Sequence, residues 1–245
     1  YSKVNFVKPF ATLLLAIGFR NFIHYRISRG LKTTSKGQKE NRNALTYLQH
    51  LGFFQYIGLK IGKKPNQAKG SSSYLPIMRL SADQFKIEGK RLQVAIDDES
   101  LRLAKIIYSG DDNYMRAIML SYCLREIIRN VFEHAETDEC FVVAQNWSDG
   151  MAEIAIADRG IGLTESLHEK YAINNSKDAI SEALNPGITS DTATANDDEW
   201  QNSGFGLYVV SELGSMLGEF AIASDGHIMF SREDEKVWYG VPIQG

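Results

Sequence analysis

Three clusters of polar residues and glycine interrupt the apolar pattern in the second half of the chain, and each lies at a junction between predicted elements. The first lies on a helix predicted over 114–135, the second follows a strand predicted over 151–157, and the third opens a helix predicted over 206–217. Each cluster alone is a common local pattern. Their order and their places on the elements constrain the fold more than any other feature of the chain.

The first cluster is a polar edge on a helix, with the sequence EIIRNVFEH from Glu126 to His134. Side chains four residues apart share a helix face, so Glu126 and Asn130 lie one turn apart beside an apolar stripe. A carboxylate and an amide at this spacing can hold a hydrated magnesium ion and orient a water against a phosphate. The alternative for this pair alone is a solvated helix face. For Glu133 and His134 a helix-end cap or an ion pair is favoured.

The second cluster is a DRGIG sequence that starts at Asp158, directly after an apolar strand. An aspartate at a strand end can accept a hydrogen bond from an exocyclic amine such as adenine N6. Gly160 and Gly162 allow the backbone to pass close to a flat ring or to adopt a positive φ. A tight turn at a strand end would give the same pattern.

The third cluster, Ser203, Gly204, Phe205, Gly206 and Leu207, opens a predicted helix. Successive backbone N–H groups at a glycine-rich helix N-terminus bind phosphate with help from the helix dipole. A turn before a helix is the alternative here as well.

Helices and hairpins are segregated along residues 74–243, which indicates an α+β sandwich with an antiparallel-rich sheet covered on one face by helices. With the three clusters in this order, the chain resembles the GHKL superfamily over about residues 95–243. Residues 126–134 match its N-box, 158–162 its DxGxG box and 204–207 its GxGL box. The resemblance implies a Bergerat-type sandwich with a mixed sheet, and ATP and Mg²⁺ as ligands.

The resemblance also implies a role for each matching residue. Asn130 would ligate the Mg²⁺ that bridges the triphosphate, and Glu126 would polarise the attacking water or a substrate hydroxyl. Asp158 would bind adenine N6, with Gly160 and Gly162 lining the base pocket. Phosphates would lie against the backbone of the third cluster, namely Ser203, Gly204, Gly206 and Leu207.

The polar stretch 164–202 resembles the ATP lid of this superfamily. Its composition offers few apolar anchors. Thr189 resembles a lid threonine that would contact ATP, and a plain turn residue is the alternative for it.

The presence of both Glu126 and Asn130 resembles the anti-sigma-factor serine kinases, whose ATP domain phosphorylates a small STAS-type protein. The N-terminal residues look loosely STAS-like, with a short strand over 4–7, a helix over 11–19 and a second helix over 43–51. A sensor histidine kinase is disfavoured, because neither His24 nor His50 lies in a long heptad pair.

The charge is divided unevenly along the chain. Residues 1–70 hold 13 Lys and Arg against one acid, and the rest holds 14 against 29. With a linker-like stretch over 62–73, this predicts a basic α/β lobe over 1–70 and an ATP-binding domain over 74–245. The basic lobe would bind a polyanion, either nucleic acid or an acidic protein, or the two lobes would attract each other. The end of the chain in a predicted strand indicates a fragment.

The composition bears on membrane association and on the cellular compartment. The longest apolar run, 10–19, is too short to cross a bilayer, so we predict a buried helix and no membrane partner. Cys123 and Cys140 are too few for a disulfide framework and are predicted to be buried thiols in a cytoplasmic protein. The oligomeric state stays open.

Two functions follow from these patterns. The first is a Mg-ATP-driven switch that works through slow hydrolysis or through phosphotransfer to a protein substrate or effector domain. The alternative is a non-catalytic, nucleotide-gated module whose basic lobe holds nucleic acid or an acidic protein.

Overall fold

The computed structural model describes residues 6–34, 43–67, 69–71, 73–87, 91–108, 111–189, 204–232 and 235–240. Helices α1 (Pro9–Ser28), α2 (Asn43–Leu51) and α3 (Phe53–Tyr56) come first. Proline suits the first turn of α1, where its missing N–H is not needed. Helix α1 is longer than the predicted helix over 11–19, whereas α2 has the predicted bounds.

All described strands follow these helices, together with six further α-helices. The next elements are β1 (Tyr74–Ser81), α4 (Ala82–Ile87), α5 (Leu92–Ile107), a 3₁₀ turn (Asp111–Asn113), α6 (Tyr114–His134), β2 (Glu139–Asn146) and β3 (Ala152–Ala157). They are followed by α7 (Gly162–Tyr171), α8 (Ser176–Ala183), α9 (Gly206–Leu217), β4 (Glu219–Ser224), β5 (His227–Arg232) and β6 (Glu235–Gly240).

The strands form two three-stranded sheets, β1-β2-β3 and β4-β5-β6, and every pairing among the described residues is antiparallel. The mixed α+β architecture agrees with the prediction, but the expected mixed sheet does not occur in this part of the chain. Tight hairpins join β2 to β3 and β4 to β5, and such connections produce antiparallel neighbours.

The first sheet is covered on both faces. Cys140, Val142 and Ala144 of β2 face α5 and α6, whereas Phe141 and Val143 face α1 and α3. Successive side chains of a strand point to opposite faces, so the uninterrupted apolar run of β2 is buried on both sides. The expectation that helices cover only one face of the sheet is therefore wrong.

The N-terminal helices cover the second face of this sheet. The Phe10 N–H donates to Glu153 Oε1 of β3 at 2.7 Å, and the Tyr47 hydroxyl donates to Gln145 Oε1 of β2 at 3.1 Å. The structure describes helices and loops but no strand over 6–34 and 43–67, and the α/β lobe over 1–70 stays a prediction. Half of the strand predicted over 4–7 lies outside the described residues, and Phe6 and Val7 are not in a strand. The domain boundary at 62–73 stays a prediction.

The second sheet carries the remaining helices. Ile180 and Leu184 at α8 pack on Met229 of β5, and α9 contacts both α6 and this sheet. Helices α7 and α8 occupy much of the segment predicted to be a polar lid. The expectation of few apolar anchors is wrong for 164–189, since Leu167 and Ala179 are also buried there. Residues 190–203 lie outside the description.

Both cysteines are buried and unpaired, as predicted. Burial raises the pKa of Cys123 to about 11, which keeps the thiol neutral. Among the described helices, none is both long and apolar enough to span a membrane.

Glu139 joins three parts of the first sheet. Arg79 of β1 donates to its Oε2, and Arg159, in the turn after β3, donates to its Oε1 at 2.7 Å. Burial alone would raise the pKa of Glu139, but the hydrogen bonds from Arg159 and Arg79 outweigh burial and hold the pKa below its usual value.

We expect Glu139→Gln to lower the free energy of unfolding at pH 7 by about 1 kcal/mol, a modest value because Arg79 is half exposed. A carboxylate whose pKa is lower in the folded state stabilises the fold above its unfolded pKa of about 4.3 and loses that effect as pH falls. Urea unfolding at pH 7 and pH 3 should give a difference from wild type that shrinks in acid. A constant difference, or an equal loss in the exposed control Glu169→Gln, would contradict this account.

Candidate functional site

Helix α6 contacts the second cluster at its C-terminal end. The Ile161 N–H donates to the carbonyl oxygen of Ala135, directly after α6, at 3.0 Å. A Cβ added to Gly160 would lie 1.9 Å from the same oxygen, so no other residue fits there without movement of the backbone. The turn after β3 is therefore packed against the end of α6.

The same helix contacts the third cluster two and a half turns earlier. A Cβ added to Gly206, the first residue of α9, would lie 2.9 Å from Glu126 Oε2. Asn130 lies between the two contacts, about 6 Å along the helix axis from Glu126. The second and third clusters thus both contact α6, the helix that carries the first cluster.

Asp158 follows β3 and is partly buried. Its Oδ1 accepts the Gly160 N–H at 2.8 Å, whereas its Oδ2 has no hydrogen bond to any residue that the structure describes. Burial raises the pKa of Asp158, and the nearby charge of Asp225 raises it further against the effect of the Gly160 N–H. One carboxylate oxygen shapes the turn, and the other can accept a hydrogen bond from a ligand.

The start of α7 packs against the turn between β4 and β5 and is hydrogen-bonded to it. Gly162 has a φ of +75°, and a Cβ there would lie 2.4 Å from Asp225 Oδ1. Asp225 Oδ2 accepts the Thr164 N–H at 3.1 Å, and Ser224 Oγ accepts the Leu163 N–H at 2.9 Å. Sequence reasoning identified this turn as a hairpin but missed its contact with the second cluster, because nothing local links residues sixty positions apart.

The third cluster is close to the loop after α8. The Gly187 N–H donates to the Gly204 carbonyl at 3.0 Å, and a Cβ on Gly204, whose φ is +69°, would lie 2.6 Å from the Gly187 carbonyl carbon. Leu207 is half-buried and packs with the apolar side chains of the second sheet. Ser203 lies outside the described residues.

Thr189 is two residues from the loop glycine that contacts Gly204. Its carbonyl oxygen accepts from Lys170 Nζ at 2.7 Å and from the Tyr171 hydroxyl at 3.2 Å, both at the end of α7. The structure therefore brings Thr189 towards the third cluster, and its contact with ATP stays a prediction.

Glu126 and Asn130 differ in their surroundings. Glu126 is 8% exposed, and its Oε1 accepts from Arg125 Nε at 3.2 Å and Nη2 at 2.9 Å. The side-chain amide of Asn130 makes no hydrogen bond within the described part of the chain. Arg129 Nε donates to Glu133 Oε1 at 2.7 Å, which agrees with the ion pair favoured for Glu133.

The arrangement suits an anionic ligand with a bound cation. The first N–H groups of α9 have no partner within their own helix and could bind an anion. In the described ranges, no group of three His, Cys, Asp or Glu side chains could hold a metal ion. A cation here would take its ligands from Asn130, from the anion and from water, which is how proteins commonly hold Mg²⁺.

Comparison with known families gives a match. The model of the histidine kinase-, DNA gyrase B-, and HSP90-like ATPase family matches residues 115–240, just over half of the 245-residue chain. No curated protein and no solved structure matches the chain. The matched range holds all of α6 except Tyr114, the β2–β3 and β4–β5 hairpins and all three clusters.

We expect Asp158→Asn to weaken Mg-ATP binding while the fold is kept. The amide oxygen can still accept the Gly160 N–H, but the amide NH₂ then occupies the position of Oδ2 and cannot accept from adenine N6. The cost is roughly 1–3 kcal/mol, or about fivefold to more than a hundredfold in Kd.

Isothermal titration calorimetry with Mg-ATP checks this result, with circular dichroism as the test of folding. Asp149→Asn, in the exposed turn between β2 and β3, is the matched control and should bind normally. An unchanged Kd for Asp158→Asn would refute the base-pocket assignment.

Proposed function

The chain belongs to the histidine kinase-, DNA gyrase B-, and HSP90-like ATPase family, and we propose that it is a Mg-ATP-driven switch that hydrolyses ATP slowly or transfers its γ-phosphate to a protein. The observation that supports this most directly is that α6 contacts both Gly160 and Gly206 and carries Asn130 between these contacts along its axis. Family membership supports ATP binding, and the residue roles below are proposals.

The adenine would bind at the end of β3. Asp158 Oδ2 would accept from N6, and Gly160 and Gly162 would line the base, as in the family pattern. Both glycines are already in contact with other groups, Gly160 with Ala135 and Gly162 with Asp225. A side chain at either position would therefore displace the wall of the proposed pocket.

The phosphates would lie at the start of α9. Backbone N–H groups at Gly204, Gly206 and Leu207 would bind them, together with Ser203, and the helix dipole favours negative charge there. Asn130 would hold the Mg²⁺, which when bound neutralises charge on the phosphate oxygens.

Glu126 would act in the chemical step. Its Oε2 lies at the first residue of α9, beside the proposed phosphate positions. There the carboxylate would accept the proton of an attacking water or of a serine or threonine hydroxyl, while that oxygen bonds to the γ-phosphorus and the bond to ADP breaks. The combination of Glu126 with Asn130 favours the kinase branch of this proposal, similar to anti-sigma-factor serine kinases.

A second function is favoured by the exposed end of α1. Phe22 and Tyr25 are exposed there, and the guanidinium groups of Arg26 and Arg29 lie 5.6 Å and 5.5 Å from their ring centroids. Stacked aromatic and arginine side chains on a basic surface suit a single-stranded nucleic acid or an acidic protein segment. The protein would then be a nucleotide-gated binding module.

Two substitutions on α6 separate binding from chemistry. We expect Asn130→Ala to weaken Mg-ATP binding about tenfold and to lower turnover, because the metal holds the phosphates before and during reaction. We expect Glu126→Gln to bind Mg-ATP nearly normally and to react about 10²–10⁴-fold more slowly, since an amide cannot take the proton.

Calorimetry and single-turnover assays of phosphate release and of transfer to protein give both quantities. Glu219→Gln, an exposed carboxylate at the start of β4, is the control. If Glu126→Gln reacts at the parental rate while Asn130→Ala loses ATP, the chain is a nucleotide-gated module rather than an enzyme.

The second function predicts a salt-dependent interaction at α1. Binding of a fluorescent single-stranded oligonucleotide should weaken steeply between 50 and 200 mM salt. The slope of log K against log salt concentration should be roughly −0.7 for each phosphate contact. The variant Arg26→Gln/Arg29→Gln should bind more weakly with a shallower slope, and Lys105→Gln on α5 should not. Absence of binding at low salt would exclude nucleic acid as the ligand.

A further inference from the structure

We propose that Arg125 is a positioning residue for Glu126, which fixes one oxygen of the carboxylate so that the other faces the start of α9. The inference rests on the proposed function, because it takes Glu126 as the proton acceptor. It adds a residue that lies beside the three clusters and that none of them contains.

The contacts to the two oxygens of Glu126 are unequal. Arg125 donates Nε–H and Nη2–H to Oε1, at 3.2 Å and 2.9 Å. Oε2 instead lies at Gly206, and its ion pair with Arg129, whose Nη1 is 3.9 Å away, is longer than a hydrogen bond. Oε1 is therefore held by hydrogen bonds, whereas Oε2 can still accept a hydrogen bond from a water or a hydroxyl.

Such fixation matters because the χ3 angle of a glutamate, which orients the carboxylate, has a broad distribution. Rotation about the last bond has no sharply staggered wells, so a carboxylate without a partner samples many orientations. A proton acceptor that is oriented by a third group is a recurring arrangement in enzymes that activate a hydroxyl. Two N–H groups of one planar guanidinium restrict that rotation more than a single donor does.

Arg125 is itself held in place. Its guanidinium carbon lies 4.6 Å from the Tyr122 ring centroid, and Nη1 lies 3.9 Å from Asp97 Oδ1 on α5. Adjacent residues on a helix do not normally face each other, so the contact with Glu126 is not a simple result of sequence spacing. The chain of contacts runs from α5 through Arg125 and Glu126 to α9.

A double-mutant cycle tests the inference. Single-turnover rate constants and Mg-ATP Kd values are measured for wild type, Arg125→Gln, Glu126→Gln and the double variant. We expect Arg125→Gln to lower the rate constant about tenfold or more with Kd within about twofold, because only the geometry of the proton acceptor is lost. The double variant should react no more slowly than Glu126→Gln.

Two further variants test the structural reason. Arg125→Lys keeps the charge but lacks the paired donors, so it should recover only part of the rate. Arg116→Gln, on an exposed turn of the same helix, should match the parent. In nucleotide-free protein, the ¹⁵N–¹H resonance of Arg125 Nε should shift in Glu126→Gln and remain unchanged in Glu169→Gln, a readout that is independent of turnover.

The outcomes that overturn the inference are distinct from those that overturn the proposed function. An Arg125→Gln variant with the parental rate, or one whose loss multiplies with that of Glu126→Gln, shows that Arg125 does not act through Glu126. A raised Kd shows direct contact with the nucleotide instead. A parental rate in Glu126→Gln removes the proposed proton acceptor and therefore both proposals.

Discussion

Close backbone contact along α6 is the constraint on which the rest of the site depends. Gly160 lies against the carbonyl oxygen of Ala135, and Gly206 lies against the carboxylate of Glu126. A Cβ at either glycine would come within 3 Å of these oxygens, so side chains there would separate the turn after β3 or the start of α9 from the helix. Along the helix axis, Asn130 lies between these two contacts.

The core explains why α6 can serve as the fixed element. Its apolar face, with Leu124 and Ile128, is buried against the first sheet, and the opposite face of that sheet is covered by α1 and α3. The N-terminal helices thus support the sheet that supports α6, although none of their residues enters the site. The second sheet contributes to the site through its contact with α9 and through Asp225. The carboxylate of Asp225 accepts the Thr164 N–H near the start of α7.

Much of this fold could be predicted from local sequence patterns, but the long-range contacts could not. The bounds of α2 and α9 follow from helical spacing and flanking glycines, and the three clusters occur at the predicted junctions. The double cover of β2 could have been read from its unbroken apolar run, and α8 from the spacing of Ala179, Ile180 and Ala183. The contact of Asp225 with Gly162, and that of Arg125 with Glu126, depend on tertiary packing and side-chain rotamers, for which the sequence has no local signal.

The most direct test of the account is paramagnetic NMR with Mn²⁺ in place of Mg²⁺, in the presence of ATP. The account predicts that broadening is strongest at the Asn130 side-chain amide and at the backbone amides of Gly204, Gly206 and Leu207. Resonances near Asp158 should shift with nucleotide but broaden less, because the base lies farther from the metal than the phosphates do. Broadening centred away from α6, with these resonances unchanged, would contradict the claim that the edge of α6 forms the Mg-ATP site.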